Sequence, residues 1–216
     1  MERAAGISKA AGDVVPYRSA DARARLASGL LAAYIAGNFL FTIGGLAGIF
    51  SALNNPAAVV VDTVAVWTFY GASVGSVVVF CMWLHRTVGN MPALGTSDSV
   101  WTAGKAVTFC FIPGGFLVQP MWSVLDAWRG ADASALHVEL RSLRAGRMPG
   151  LVAAWWLSWL IGVGCALIGR RAGGQVVSNL GLVSFTAAAL FCILVIRSVT
   201  NRQERKHEMI ATGQLV

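Results

Sequence analysis

Residues 108–122 read TFCFIPGGFLVQPMW. They lie inside an apolar run, Ala106 to Leu125, whose length matches the roughly 20 helical residues that a bilayer core requires. Pro113-Gly114-Gly115 cuts the run, and Pro120 cuts it again. Pro113 lacks an N–H and its ring clashes with the preceding turn of a helix. Gly114-Gly115 supplies the backbone freedom for a reversal. The arms on either side, about 101–112 and 116–128, are each too short to cross a bilayer at about 1.5 Å per residue. The stretch therefore reads as a hairpin that enters and turns back. A kinked crossing helix is the alternative.

The rest of the chain supports a membrane setting. The 216 residues are 56% hydrophobic and only 12% charged, about half the charge content of a soluble domain. Four further runs have spanning length: about 26–53, 59–84, 151–169 and 175–197. The first is too long for the apolar core of a signal peptide and lacks a clear cleavage site, so it reads as a retained helix. Asn54-Asn55-Pro56 and the glycine- and arginine-rich 169–174 mark turns. The predicted fold is all-α: a polytopic bundle of four spanning helices, the broken re-entrant hairpin and a short interfacial helix. The boundaries are a mobile cytoplasmic tail over 1–25, one membrane domain over 26–205, and a second tail over 206–216.

Charge placement selects between four and five crossings. If the broken run crosses, Lys and Arg divide nine against eight between the two sides. If it returns, fifteen lie on the side of the N-terminus and only Arg170 and Arg171 on the other. Basic residues collect on the cytoplasmic side, so the second arrangement is expected, with both termini cytoplasmic. The net charge of +7 thus fits an anionic leaflet rather than nucleic acid. Within 129–150, Leu136, Leu140 and Leu143 run beside Arg141, Arg144 and Arg147. That pattern suits a helix lying in the headgroup region, or one packed on protein.

The order and spacing of several short motifs carry a resemblance. They are Trp83-Leu84-His85-Arg86, Asn90, Ala93-Leu94-Gly95, Phe111-Ile112-Pro113, Pro120 and Asp126-Ala127-Trp128-Arg129. Pro149, Trp155-Trp156 and Thr200-Asn201-Arg202-Gln203 continue the series. Together they resemble the bacterial membrane-protein family catalogued as domain of unknown function 4328, over about residues 26–205. The resemblance implies an integral protein of the bacterial inner membrane and brings no activity or functional residue with it. Members often carry an Asn between the two prolines; here the interval reads Gly-Gly-Phe-Leu-Val-Gln.

Candidate residues are structural ones. Arg86 and Asn90, four apart at the end of the second run, read as a polar contact holding the broken run, with a headgroup anchor as the alternative for Arg86. Asn38 and Asn179 are intramembrane polar groups that suit hydrogen bonds between helices. Asp126 precedes Trp128 at the end of the returning arm, and equal depth suggests an ion pair with Arg86. Gly44/Gly48 and Gly71/Gly75 permit close helix approach. Trp155, Trp156 and Trp159 read as interfacial anchors, with an aromatic ligand cage as the alternative. Cys81, Cys110, Cys165 and Cys192 read as small apolar packing residues, and His85, His137 and His207 are too scattered to bind a metal. No catalytic, cofactor or metal site is expected, because the chain lacks a phosphate loop, an HExxH motif, a nucleophile elbow and a paired set of carboxylates. The expected function is a non-enzymatic scaffold or sensory module that engages the lipid bilayer and another protein, with no open pore. The alternative is a small-solute or ion permease gated by the 106–125 hairpin.

Overall fold

The computed structural model describes residues 16–46, 56–96, 102–135, 146–172 and 174–215. Among them are six α-helices and no strand. They are α1 (Asp21–Leu46), α2 (Pro56–Gly89), α3 (Ala103–Thr108), α4 (Gln119–Gly130), α5 (Gly150–Ala172) and α6 (Gln175–Ala211). Four of these, α1, α2, α5 and α6, are long and apolar enough to cross a membrane, with mean hydropathy from 1.3 to 2.3 over their best windows. Their outward faces are apolar too: Trp67, Tyr70, Val74, Leu157, Ile161, Val183 and Leu194 all stand exposed. A surface of that kind fits lipid, not water.

Cross-helix contacts give the topology. Along α1 and α2, Gly37 faces Phe69, Leu30 faces Gly75, and Arg23 reaches Met82, so the two run antiparallel. Along α5 and α6, Gly162 faces Phe185 and Gly169 faces Ser178, again antiparallel. Asn38 of α1 bonds Leu182 and Thr186 of α6, and Ser19 bonds Glu204, so these two helices are antiparallel as well. The start of α1, the end of α2, the start of α5 and the end of α6 thus meet at one end of the bundle, called here the base. The α5–α6 approach is tight enough that a Cβ at Gly162 would lie 2.7 Å from the Phe185 ring.

The broken run does not form one helix. α3 passes into a 3-10 turn at Phe109–Phe111, the chain reverses over 112–115, and a second 3-10 turn at Gly115–Leu117 leads into α4. Gly114 takes φ +82°, which only glycine adopts without strain. At Gly115 a Cβ would meet the Phe109 carbonyl oxygen at 2.6 Å. Pro120 stands in the first turn of α4, where its missing N–H costs nothing. Both ends of the segment lie at the base: Ala103 sits beside Gly89, and Gly130 sits beside Met91 and Thr96. Its tip reaches Trp159, in the middle of α5, where Phe116 packs edge-on at 5.9 Å.

Two boundaries differ from the sequence reading. α6 does not stop near 197 but runs to Ala211, because Gln203 and Lys206 bury their side chains against the base. The expected C-terminal tail therefore begins inside a helix. At the other end, Ala20 and Ala24 are buried and α1 starts at Asp21, inside the expected N-terminal tail. The leucine and arginine stripes predicted over 136–144 fall outside the described residues.

Candidate functional site

A cavity of about 620 Å³ lies between α1, α2, the hairpin, α5 and α6. Its walls come from five separate segments. Tyr34 belongs to α1; Phe69, Ser73, Ser76, Phe80 and Cys81 to α2; Cys110, Phe111, Phe116 and Pro120 to the hairpin; Trp155, Trp156 and Trp159 to α5; Phe185, Ala189 and Cys192 to α6. Among the described residues no charged side chain lines it.

The aromatic wall is continuous. Trp156 stacks on Trp159 at 5.0 Å and 18°, Trp155 meets Trp156 at 5.6 Å, and Phe80 joins Trp155 at 5.9 Å. Residues 155, 156 and 159 share one face of α5 by helical spacing. This corrects the reading of the three tryptophans as interfacial anchors: Trp155 and Trp156 are buried in the bundle. The few polar groups are largely engaged with their own helices. Ser73 donates to the Phe69 carbonyl at 2.6 Å, and Cys110 to that of Ala106 at 3.2 Å. The Ser76 hydroxyl, also on the cavity, is buried without a hydrogen-bond partner. The thiols of Cys81 and Cys110, far apart in sequence, face one another here. Such a volume, with apolar walls and few polar points, suits an apolar ligand.

The base has the opposite chemistry. The Trp83 indole N–H donates to the Thr200 hydroxyl at 3.0 Å, and the Gln203 amide donates to the Thr87 carbonyl at 3.0 Å. Lys206, fully buried, donates to the Gly130 carbonyl at 2.9 Å and so ties the end of α4 to α6. Arg202 stacks over Trp128 at 4.4 Å and lies 3.8 Å from the Asp132 carboxylate. The Ser134 hydroxyl and N–H, helped by Arg202 and Lys206, hold the Asp132 carboxyl below its ordinary range. Tyr17 stacks on His207 at 4.2 Å, and burial, with Glu204 and Glu208 near, pushes its hydroxyl above its ordinary range.

The residues singled out from sequence divide between these regions. Asn38 is buried midway along α1 and donates to Leu182 and Thr186 of α6, at 3.2 and 2.6 Å. Pro113 lies exposed in the reversal, and Pro120 lines the cavity. Trp128 is half-buried under Arg202, and Asp126 is buried in α4. Asn90 does not hold the broken run; its amide bonds the backbone of Arg18. The expected Arg86–Asp126 ion pair is not formed, because Arg86 turns toward α1, where Arg23 and Arg18 supply the charges acting on it. Sequence reading did not single out Lys206 or Arg18, and met Gln203 only within the Thr200–Gln203 motif, because 200–206 is polar throughout and shows no buried face.

Neither the curated proteins nor the solved structures provide a match. A family model does match, over residues 47–201, and that span exceeds half of the 216-residue chain. Three of the four apolar helices, α2, α5 and α6, lie within or overlap it, as do the hairpin and most of the cavity wall, whereas α1 precedes it; the chain belongs to the family described as domain of unknown function (DUF4328).

Proposed function

We propose that this protein is a non-enzymatic sensory module of the bacterial inner membrane that takes up an apolar, lipid-like molecule between its helices. The single observation that carries the reading is the cavity of about 620 Å³, walled by tryptophan and phenylalanine and, among the described residues, free of charged side chains. In water such walls would collapse or aggregate; between lipid-facing helices they offer an acyl or isoprenoid chain close aromatic contact. A hydrophilic solute would find almost no hydrogen-bonding groups there, which disfavours a permease.

The base is assigned to the cytoplasmic side, with both termini there and the hairpin re-entrant. Three features support this orientation: the fifteen-to-two division of Lys and Arg, the return of both hairpin ends to the base, and an arm length of about half a bilayer. At the hairpin tip the turn satisfies part of its own backbone: the Gly115 and Phe116 N–H groups donate to the Ile112 carbonyl, that of Leu117 to Gly114 and that of Val118 to Gly115. Occupancy of the cavity bears on Phe111, Phe116 and Pro120. Through α4 and the Lys206–Gly130 bond it reaches the end of α6, where a partner protein reads the change.

The test is to purify the full-length protein from native membranes in mild detergent and identify co-purifying organic molecules by mass spectrometry. A lipid-like molecule near one per protein is expected, and Ala189→Phe, which fills the cavity, removes it while the protein stays folded. Equal retention by the filled variant overturns the reading. Steady protein-dependent conductance in liposomes would instead establish a permease.

A further inference from the structure

Three arginines converge on one stripe of α2 that the cavity does not use. Met82, Arg86 and Asn90 are four apart and share a helix face, away from the cavity-lining face of Phe69, Ser73, Ser76 and Phe80. Arg23, in the first turn of α1, donates from Nη1 to the Met82 carbonyl at 3.0 Å. Arg18, just before that helix, is fastened at the other end of the stripe. Its N–H donates to the Asn90 side chain at 3.2 Å, and its carbonyl accepts from Asn90 at 2.7 Å. Arg86 lies between them. Among the described residues no carboxylate pairs with any of the three, since Asp21 is taken by Arg25 at 3.0 Å. The Nε of Arg86 is buried with no hydrogen-bond partner.

Three like charges held this close repel, and the repulsion grows as the surroundings become less polar. Arg23 is nevertheless held there by its own side-chain bond, and the backbone at Arg18 is held by Asn90. The arrangement gains from a multiply charged anion that accepts from all three, and guanidinium forks match the oxygens of phosphate. The stripe stands at the base, the end of the bundle where headgroups lie under the assigned orientation. We propose that Arg18, Arg23 and Arg86 form a binding site for a phosphate-bearing anion, presented by a phospholipid headgroup or by free phosphate.

The experiment follows the melting temperature of the full-length protein in mild detergent during three titrations: phosphatidylglycerol, phosphatidylcholine and inorganic phosphate. Arg18→Gln removes one arm of the site while leaving its backbone bonds to Asn90 intact, so that variant tests binding even if Arg86→Gln fails to fold. Each is expected to weaken the phosphatidylglycerol response about tenfold, equivalent to about 1.4 kcal/mol. Arg25→Gln, which removes a neighbouring charge outside the stripe, should change it less than about twofold. A response to phosphatidylglycerol alone identifies the headgroup as ligand; competition by inorganic phosphate identifies the free anion as a ligand of the same site. Equal stabilisation by phosphatidylcholine with no effect of phosphate overturns the proposal. So does an Arg25→Gln loss as large as that of Arg18→Gln, which would mean only diffuse attraction to the membrane surface.

Discussion

The base and the middle of the bundle are built by opposite rules, although the same helices pass through both. At the base, directional bonds fix the ends of α2, α4 and α6 and the entry to α1: Trp83 to Thr200, Gln203 to Thr87, Lys206 to Gly130 and Asn90 to Arg18. One or two turns deeper, Trp155, Trp156, Trp159 and Phe80 meet through ring faces and edges around open volume. Directional bonds fix register, and a half-satisfied polar network is costly. Apolar contacts set no register and permit repacking. The difference teaches where this molecule holds still and where it can accommodate a guest.

The largest effect should come from filling the tight contact between α5 and α6 beside the cavity. Gly162→Leu drives side-chain atoms into Phe185, which a Cβ alone would already approach to 2.7 Å, and overpacking of that degree costs about 3 kcal/mol. Thermal unfolding in detergent would measure it, and an unchanged melting temperature would mean that α5 and α6 are free to separate there. Next is Thr200→Val, which keeps shape but strands the buried Trp83 indole N–H, at a cost of about 1–3 kcal/mol. Ser73→Ala, on the cavity wall, should cost less than about 0.5 kcal/mol, because Ser73 bonds only its own helix. If the two substitutions cost the same, the contrast between base and cavity fails.

Between these two falls Asn38→Leu, which removes two hydrogen bonds from α1 to α6. Such bonds between membrane helices average about 0.6 kcal/mol, and a similar loss is expected here. The smallest effect concerns pH. Asp132 is held below its ordinary range, so its contribution is present above the unfolded carboxylate value, about 3.9, and fades as pH falls below it. The carboxylate is half exposed, so Asp132→Asn should cost only a few tenths of a kcal/mol at neutral pH. Once the pH has fallen through its lowered native value, wild type and variant should melt alike; a gap that widens in acid would contradict the sign.

The spanning helices were legible because length and apolarity are properties of a continuous run. So was the break at Pro113-Gly114-Gly115, since proline and glycine act on their own backbone. The fate of Asn38 was legible in kind, because a lone amide among apolar residues must find a partner. The cavity was not. Its wall is assembled from Tyr34, Cys81, Phe116, Trp156 and Ala189, which no spacing connects. The Arg86–Asp126 pairing failed for a definite reason: sequence gives depth along a helix but not which neighbour a given face meets. Arg86 and Asp126 both lie near the base, yet Arg86 turns to α1. Lys206 and Gln203 were overlooked because charge after an apolar run reads as a solvated tail, whereas here it packs under α4 and α2.

The central claim is that an apolar chain enters the cavity from the bilayer. Brominated acyl chains quench tryptophan on close approach, and Trp155, Trp156 and Trp159 line the cavity, whereas Trp67 faces outward. The measurement compares Trp67→Phe protein with and without Ala189→Phe in vesicles containing a rising share of brominated-chain phosphatidylcholine. The account predicts a saturable quenching component in the open-cavity protein that Ala189→Phe abolishes. Identical quenching curves for the two proteins would contradict it.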